Sequence, residues 1–351
     1  MITSQGYAAH SKTDQLKPWT FERRDPGPED VQIEILYSGI CHSDIHQVRD
    51  EWGGSIYPMV PGHEIVGKVV AVGNAVKRFK AGDIAGVGVM VDSCKKCRNC
   101  QQHLEQYCDE GMTGTYNNLE RDGKSMAQGG YATNIVTNER FVYNVSPKLD
   151  LKGVAPLLCA GITTYSPLRY AGVKEGMKVG VVGLGGLGHL GVKFAVSFGA
   201  EVTLISTSPS KKEDAARLGA QKFLLSKDRD QMKEYAGYFD VILNTISAPH
   251  DYNAYLKLLD VNGKMLLVGL PPEDQKVAAG LLVSRRRAII GSMIGGTAET
   301  QEMLDYCAEK NIVSDVELID ASYINEAYER VIKSDVRYRF VIDAKTFGER
   351  K

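Results

Sequence analysis

Four of the seven cysteines lie within fifteen residues of one another, at a spacing that is typical of a metal site. They form the pattern C-x2-C-x2-C-x7-C at Cys94, Cys97, Cys100 and Cys108. Four thiolates complete a closed tetrahedral Zn2+ site that leaves no position for a substrate, so the pattern predicts a structural zinc. An iron–sulfur cluster is the alternative, because ferredoxins share the first two spacings. The long last gap, and the Asp109 that stands in place of the ferredoxin proline, favour zinc.

A glycine-rich turn after an apolar run carries the pattern G-x-G-x-x-G. Gly183 permits a sharp turn after a strand, Gly185 lets the backbone reach a pyrophosphate, and Gly188 lets the following helix pack against that strand. Gly186 and Leu187 belong to the same predicted binding turn, and the helix N-terminus offers free N–H groups to phosphates. A glycine-rich turn in any α/β protein can imitate this pattern. Here a strand, a helix and five further strands agree with a dinucleotide site.

The residues that follow the next strand predict which cofactor binds. An NAD site places a carboxylate there, about 20 residues after the glycines, whereas this chain has Ser206, Thr207 and Lys211. Hydroxyls and an ammonium suit the 2′-phosphate of NADP(H), because a dianion needs donors and positive charge. The alternative is that the serines cap the next helix and the lysines lie on a solvated face. Capping and phosphate binding are compatible, and we expect NADP(H).

A second set of candidate ligands is dispersed along the chain. The segment CHSDIH begins at Cys41, PGHEIVG contains His63 and Glu64, and LCAG contains Cys159. Taken singly, these residues predict little, since an isolated cysteine is more often a small buried core residue. The pattern H-E-x-x-H is absent from the sequence, which excludes a metalloprotease site of that kind.

The elements that must position these groups fall into three parts. Residues 1–150 predict short strands and turns, among them Val31–Leu36 and Ile65–Val72, with a brief helix near His42. Residues 156–294 alternate apolar strands with helical patterns, which predicts a doubly wound, parallel, six-stranded sheet of the Rossmann type in an α/β protein. Its strands are predicted at Lys178–Gly183, Glu201–Ser206, Lys222–Leu225, Phe239–Thr245, Lys264–Gly269 and Ala288–Met293, with helices that include Lys211–Leu218 and Tyr252–Leu259. The remaining residues predict a helix over Glu299–Glu309 and a strand over Tyr338–Ile342.

Composition excludes several kinds of partner. The 351 residues, of which 43% are apolar and 24% charged, are typical of a folded protein with two domains. A net charge of −1 gives no electrostatic reason to expect nucleic acid or an anionic membrane as a partner. The sequence shows neither a secretory leader pattern nor an uninterrupted apolar stretch long enough to span a bilayer. We therefore expect a cytoplasmic protein whose cysteines stay reduced.

Taken together, the motifs resemble one protein family. CHSDIH, YPMVPGHEIVG, the four-cysteine segment, CAGITTYSPL and GLGGLG occur in the same order as in the zinc-containing medium-chain alcohol dehydrogenases. ISTSPSKK and GSMIGGTAETQEML are similar to the cinnamyl alcohol dehydrogenase branch, which reduces a wide range of aldehydes with NADPH. The resemblance implies a GroES-like irregular β catalytic domain, 1–155 with 295–351, and a Rossmann dinucleotide-binding domain, 156–294.

The resemblance also implies a catalytic zinc. Its ligands are Cys41, His63 and Cys159, the two-cysteine, one-histidine set known for this family, and water or the substrate oxygen completes the site. Asp44 orients the ring of His63. Glu64 resembles the family carboxylate behind the metal, an alternative ligand. With the four-cysteine site, the implied content is two Zn2+ per chain.

Further roles follow from the same resemblance. Ser43 relays a proton and His46 hands it to solvent, since an imidazole exchanges protons near neutral pH. Otherwise Ser43 is a helix cap and His46 a surface histidine. His42 and Arg339 are implied near the cofactor phosphates, and Trp52 in the substrate pocket. Their alternatives are a space-filling histidine, a surface arginine and a core tryptophan.

The sequence therefore predicts a zinc-dependent, NADP(H)-linked alcohol dehydrogenase that works mainly as a reductase of aromatic or aliphatic aldehydes. An NAD-linked alcohol or polyol dehydrogenase is the alternative among enzymes, and a non-catalytic, zinc-stabilised nucleotide-binding protein is the alternative outside them. The strand Ala288–Ile294 is able to pair with its twin in a second copy, which predicts a homodimer. Cys307 lies outside both ligand sets and is expected to pack near Met303 and Leu304.

Overall fold

A computed structural model describes residues 1–348, and the chain divides into two compact units. Unit 1 comprises Met1–Cys159 together with the segment from Gly295 onward, and unit 2 comprises Ala160–Ile294. The two ends of the chain therefore fold into one unit, and the middle of the chain forms the other.

The first part of unit 1 consists mainly of short strands. Its strands are β1 (Ile2–Ala8), β2 (Lys17–Arg23), β3 (Asp30–Gly39), β4 (Ile65–Val72), β5 (Ile84–Val87), β6 (Met90–Asp92), β7 (Thr113–Gly114), β8 (Asn118–Leu119), β9 (Met126–Ala127), β10 (Asn134–Asn138) and β11 (Val142–Asn144). Its helices are α1 (His42–Val48), α2 (Arg98–Gln101) and α3 (Leu151–Val154), with 3-10 turns at Glu105–Tyr107, Glu139–Phe141 and Ala155–Leu158. The irregular β unit predicted for this part of the chain is confirmed.

Unit 2 alternates helices and strands. In chain order they are α4 (Ala160–Ala171), β12 (Lys178–Val182), α5 (Gly186–Ser197), β13 (Glu201–Ser206), α6 (Lys212–Arg217), β14 (Lys222–Leu225), α7 (Arg229–Glu234), β15 (Phe239–Asn244), α8 (Tyr252–Leu256), β16 (Leu259–Leu267), α9 (Ala279–Val283) and β17 (Ala288–Gly291), with a 3-10 turn at Pro209–Lys211. The strands pair in parallel in the order β14-β13-β12-β15-β16-β17. The predicted six-stranded doubly wound sheet is confirmed, and its strand order reverses between β12 and β15.

The boundary between α8 and β16 differs from its prediction more than the other boundaries of unit 2 do. The helix predicted over Tyr252–Leu259 ends at Leu256, and the strand predicted from Lys264 already begins at Leu259. Leu259 pairs with Phe239 of β15 ahead of an irregularity in the register, and its side chain is fully buried. Pairing with the neighbouring strand therefore overrides the local helical pattern.

The C-terminal segment of the chain completes unit 1. It contributes α10 (Thr297–Lys310), β18 (Val316–Ile319), α11 (Ile324–Ile332) and β19 (Arg339–Asp343), with 3-10 turns at Ala321–Tyr323 and Ala344–Phe347. The main sheet runs β11-β5-β4-β3-β19-β18, and β10 pairs with β3. As predicted, Cys307 of α10 is buried, and its Sγ lies 3.7 Å from Sδ of Met303. Over residues 1–348, no helix combines the length and the apolar character that crossing a membrane requires.

Candidate active site

The four clustered cysteines come together in a short segment of unit 1. Their ligand atoms all lie within 4.8 Å of one another, and Sγ of Cys94 is 3.8 Å from Sγ of Cys100. Sulfurs at about 2.3 Å from a common tetrahedral centre would be separated by about 3.8 Å. The backbone N–H of Cys97 points at Sγ of Cys94, and that of Cys100 at Sγ of Cys97, at 3.3 and 3.5 Å. Donors directed at sulfur suit thiolates, so this set fits Zn2+.

A buried carboxylate that no sequence pattern indicated stabilises this cysteine segment. Glu105 is fully buried, accepts from the side chain of Arg140 at 2.8 Å, and accepts from the backbone N–H of Thr297 at 3.0 Å. Burial opposes ionisation, but the bonds from Thr297 and Arg140 outweigh it and lower the pKa of Glu105. No local pattern reveals this residue, because Thr297 lies 192 positions away in the chain.

Three chain segments supply the second ligand group. Cys41 is the N-cap of α1, His63 and Glu64 directly precede β4, and Cys159 ends a 3-10 turn. Their ligand atoms lie within 4.8 Å of one another, and Sγ of Cys41 is 3.9 Å from Sγ of Cys159. This contact lowers the pKa of the Cys41 thiol and raises that of Cys159. Cys159 is buried and Cys41 is partly buried. Two thiolates this close repel each other unless a cation lies beside them, so the donor set fits a zinc ion.

Asp44 orients the histidine of this group. Its Oδ1 accepts from Nδ1 of His63 at 3.0 Å and from the N–H of Gly62 at 3.2 Å. Its Oδ2 accepts from the N–H of Cys41 at 2.9 Å and from the hydroxyl of Tyr131 at 3.2 Å. Burial lowers the pKa of His63, but the carboxylate and the Cys41 sulfur outweigh burial and raise it well above its ordinary value. With Nδ1 donating to Asp44, Nε2 of His63 is the atom left to bind a metal.

Glu64 lies behind the ligands and pairs with Arg339. Nη2 of Arg339 donates to the Glu64 carboxylate and, at 2.9 Å, to the carbonyl of Ile40. Burial raises the pKa of Glu64 to about 7, although Arg339 favours the charged form. Oε2 of Glu64 is buried without a hydrogen-bond partner among the described residues, which is consistent with an alternative metal ligand. A Cβ at Gly39 would lie 2.0 Å from that oxygen, so glycine leaves room for the carboxylate.

Arg339 is buried, so the alternative that it is a surface arginine is wrong. Its Nε has no hydrogen-bond partner within residues 1–348. The role near the cofactor phosphates stays a prediction.

The predicted relay residues, Ser43 and His46, both lie on α1, and Trp52 follows this helix. Ser43 is in its first turn, and the ring of His42 stacks on that of His46 at 4.7 Å between centroids. Nδ1 of His46 contacts the Glu51 carboxylate. Trp52 packs against His46 at 5.0 Å, and 53% of its surface is exposed, so the alternative of a core tryptophan is wrong. The relay itself and the role of Trp52 in a substrate pocket stay predictions.

The glycine turn has the geometry that a dinucleotide requires. Gly183 has a φ of +92°, and a Cβ at Gly188 would lie 2.0 Å from the carbonyl oxygen of Gly183. A Cβ at Gly185 would meet no atom within 4 Å, so the space beside its backbone is open. The structure thus gives each glycine the feature expected of it: a left-handed turn, close helix packing and an open approach. Gly186 and Leu187 begin α5.

The residues predicted to recognise a 2′-phosphate lie at the end of β13 and just after it. Ser206 ends this strand, Thr207 is exposed, and Lys211 ends the 3-10 turn before α6. Oγ of Ser206 accepts from the N–H of Ser208 at 3.2 Å. Within the described chain, neither the 3-10 turn nor α6 has a side-chain N-cap bond, so the serines do not cap these helices.

Comparisons with known proteins match both units. The model of the alcohol dehydrogenase GroES-like domain matches residues 27–147, and that of the zinc-binding dehydrogenases matches residues 186–309. Aldehyde reductase YahK of Escherichia coli strain K12 is 54% identical over 343 residues, which cover 97% of this chain and 98% of the relative. NADP-dependent alcohol dehydrogenase C of Mycobacterium bovis is 51% identical over 343 residues, covering 98% and 99% of the two chains.

Solved structures agree over nearly the whole length. A cinnamyl alcohol dehydrogenase from Sorghum bicolor superposes with a TM-score of 0.95 at 44% identity and covers 99% of both chains. The cinnamyl alcohol dehydrogenase of Helicobacter pylori complexed with NADP(H) gives 0.92 at 44% identity, covering 98% of this chain and 99% of its own. The likeness therefore extends over nearly the whole chain.

Proposed function

This chain belongs to the zinc-containing medium-chain alcohol dehydrogenases, and we propose that it reduces aldehydes of the cinnamyl alcohol type with NADPH. The observation that carries the proposal is the largely buried group of Cys41, His63 and Cys159, three donors that would hold a zinc ion and leave a position for the substrate oxygen. The reaction moves hydride from NADPH to the carbonyl carbon and a proton to the carbonyl oxygen, giving the alcohol and NADP+. Aromatic and aliphatic aldehydes are the expected substrates.

The residues around this group have different roles in the proposed reaction. Cys41, His63 and Cys159 would hold a zinc ion, which would supply a Lewis acid for the substrate carbonyl. Asp44 keeps His63 in the tautomer that presents Nε2. Ser43 gives its hydroxyl proton to the product oxygen, and His46 replaces that proton from solvent. The Glu51 carboxylate accepts from Nδ1 of His46, which leaves Nε2 of the same ring free to exchange the proton.

The proposed cofactor is NADP(H). The pyrophosphate binds at the glycine turn, where the open side of Gly185 and the N-terminus of α5 offer backbone N–H groups. Ser206, Thr207 and Lys211 bind the 2′-phosphate, because the end of β13 carries hydroxyls and an ammonium and no carboxylate. His42 and Arg339 are assigned to the phosphates, and Trp52 to the substrate pocket.

The proposal includes a second zinc and a division of labour between domains. Cys94, Cys97, Cys100 and Cys108 hold the structural ion, so each chain carries two. Residues 1–155 with 295–351 form the catalytic domain, and residues 156–294 bind the dinucleotide. The proposed location is the cytoplasm.

The proposed assembly is a homodimer. β17 (Ala288–Gly291) is the last strand of the unit 2 sheet, and its side chains are partly exposed. An unpaired edge of this kind can continue the sheet into a second copy. Light scattering at micromolar concentration tests the dimer, and a particle of 38.5 kDa would reject it.

One experiment tests the enzyme and its metals together. NADPH and NADH oxidation is followed with cinnamaldehyde, benzaldehyde and straight-chain aldehydes, and zinc is counted in the wild type, Cys159→Ala and Cys307→Ala. We expect NADPH-dependent turnover and two zinc per chain in the wild type, loss of one zinc and of turnover in Cys159→Ala, and neither loss in Cys307→Ala. A preference for NADH would favour an NAD-linked alcohol or polyol dehydrogenase. Zinc and nucleotide binding without turnover would favour a non-catalytic protein.

A further inference from the structure

A closed chain of hydrogen bonds holds the loop that follows β15 in unit 2. Asn244, the last residue of β15, is buried, and its Oδ1 accepts from the N–H of Ile246 at 3.2 Å. Its Nδ2 lies 2.8 Å from Nε2 of His250, whose Nδ1 lies 2.7 Å from the carbonyl oxygen of Ala248. The two side chains thus join both ends of the 245–250 loop.

The backbone groups at the two ends fix the direction of every bond in this chain. The N–H of Ile246 can only donate, so Oδ1 of Asn244 faces it and Nδ2 faces the histidine. The carbonyl of Ala248 can only accept, so Nδ1 of His250 carries the proton. Nε2 of the neutral ring is therefore the acceptor for Nδ2 of Asn244. Each of the four side-chain atoms, Oδ1 and Nδ2 of Asn244 and Nδ1 and Nε2 of His250, thus has a partner.

Two further contacts tie this loop to its neighbours. The hydroxyl of Thr245 donates at 2.8 Å to the carbonyl of Val182, the residue directly before the glycine turn. A Cβ at Gly269 would lie 2.2 Å from the carbonyl oxygen of Ile246, so the segment that follows β16 also packs closely on the loop. The start of the loop is thus bound to the turn assigned to the pyrophosphate.

The sheet order places this loop beside one particular half of the dinucleotide. The strands run β13-β12-β15, and the ends of β13 and β12 are assigned to the 2′-phosphate and the pyrophosphate. A dinucleotide that continues in the same direction across the carboxyl edge reaches the end of β15 with its nicotinamide half. We propose that His250 and Asn244 are positioning residues that hold the 245–250 loop in the form that receives the nicotinamide half of NADPH. This inference rests on the proposed cofactor.

Loss of the His250 acceptor has a defined consequence. In His250→Leu, Nδ2 of the buried Asn244 loses its partner, and the loop is free to leave its binding-competent form. The apparent Kd then rises in inverse proportion to the fraction of molecules that stay competent. His250→Gln is the conservative control, because its side-chain oxygen can accept from Nδ2 of Asn244 near the place of Nε2.

Two probes separate the halves of the site by calorimetry. NADPH spans both halves, whereas adenosine 2′,5′-bisphosphate carries the adenosine and the 2′-phosphate and lacks nicotinamide. We expect the Kd of NADPH to rise about tenfold in His250→Leu and to stay within about twofold of the wild type in His250→Gln. The Kd of the bisphosphate is expected to be the same in all three proteins, which a general loosening of unit 2 would not give.

The outcomes separate this inference from the proposed function. Three results would each overturn the positioning role and leave the cofactor assignment unchanged. In the first, His250→Leu binds NADPH with the wild-type Kd; in the second, both probes bind this variant more weakly by the same factor; in the third, His250→Gln binds NADPH as weakly as His250→Leu. If the wild-type protein binds NADPH no more tightly than NADH, and the bisphosphate no more tightly than NADH either, the cofactor assignment and this inference are both wrong.

Discussion

Asp44→Asn is the sharpest test of how unit 1 holds its ligand group. The Asp44 carboxylate is fully buried and accepts four hydrogen bonds. An asparagine keeps only one oxygen, so its amide nitrogen must face one pair of donors. If the amide nitrogen faces Gly62 and His63, both of these donors lose their acceptor. If it faces Cys41 and Tyr131, the cost is smaller, because the tyrosine hydroxyl can rotate, but the N–H of Cys41 still loses its acceptor.

The magnitude follows from this count. One buried N–H without an acceptor costs about 1–3 kcal/mol, and the remaining bonds weaken by about 1–2 kcal/mol in total because the acceptor is no longer charged. We therefore expect Asp44→Asn to lower the free energy of unfolding by about 2–5 kcal/mol. This is a large part of the roughly 5–15 kcal/mol that stabilises an ordinary domain. Zinc affinity of the catalytic group is expected to fall about 10- to 100-fold, because His63 loses its fixed orientation.

Urea unfolding of the metal-free protein measures the first effect without a contribution from zinc. Both tryptophans, Trp19 and Trp52, belong to unit 1, so their fluorescence reports the unit that contains Asp44. Asp274→Asn is the matched control, since Asp274 is exposed, and it should change stability by less than about 0.5 kcal/mol. Competition with a chelator measures the second effect. An Asp44→Asn protein as stable as the control, with wild-type zinc affinity, would refute the reasoning.

Three further substitutions test other parts of the structure. Ser206→Asp places a carboxylate where the 2′-phosphate is assigned, and the ratio of kcat/KM for NADPH to that for NADH should fall at least about tenfold in steady-state assays. Cys97→Ser should remove one of two zinc ions, counted by atomic emission, and lower the Tm, while aldehyde turnover by the remaining folded protein persists. Gly39→Ala should cost about 1–3 kcal/mol in urea unfolding, because its Cβ would lie 2.0 Å from Oε2 of Glu64. Gly280→Ala, whose Cβ would meet no atom within 4 Å, should leave stability unchanged or slightly raised.

Local sequence signals predicted the elements of the fold where local forces decide them. The strand Ile65–Val72 was placed at its observed ends, because a β-branched run follows directly on the Pro-Gly segment of the ligand loop. The strands around the glycine turn were placed almost as well, since buried parallel strands form continuous apolar runs. The start of β16 could not be found this way, because Leu259 is extended only through its pairing with Phe239.

The residues of the candidate site likewise divide into those that a local sequence pattern predicts and those that only long-range contacts reveal. Cys94–Cys108 and Gly183–Gly188 are local patterns, which their spacing and the neighbouring elements were sufficient to single out, while the metal and the cofactor assigned to them stay predictions. Glu105, Tyr131 and the partner of Arg339 were not predicted, because each acts on residues far away in the chain. His250 and Asn244 lie only six positions apart, but no spacing rule marks a histidine that accepts from an asparagine.

The dispersed ligands come together because of the register of one strand pair. β3 and β4 are antiparallel, with Ser38 opposite Ile65, so the end of β3 meets the start of β4. Cys41 follows the first strand and His63 precedes the second, and the N–H of Gly39 donates to the carbonyl of Glu64 at 2.9 Å. A shift by one residue would turn every side chain of β4 to the opposite face of the sheet. The register that buries the core of unit 1 therefore also sets the distance between Cys41 and His63.

The third ligand is brought to this pair by glycines rather than by pairing. Cys159 ends a 3-10 turn that packs on β5 and the residue after it. A Cβ at Gly86 would lie 3.0 Å from Cδ1 of Leu158, and one at Gly88 would lie 2.9 Å from its carbonyl oxygen. A side chain at either position would push Leu158, and with it Cys159, away from the sheet that carries the other ligands. Gly86 of β5 and Gly88 just after it thus help to place Cys159, although no metal-ligand pattern contains them.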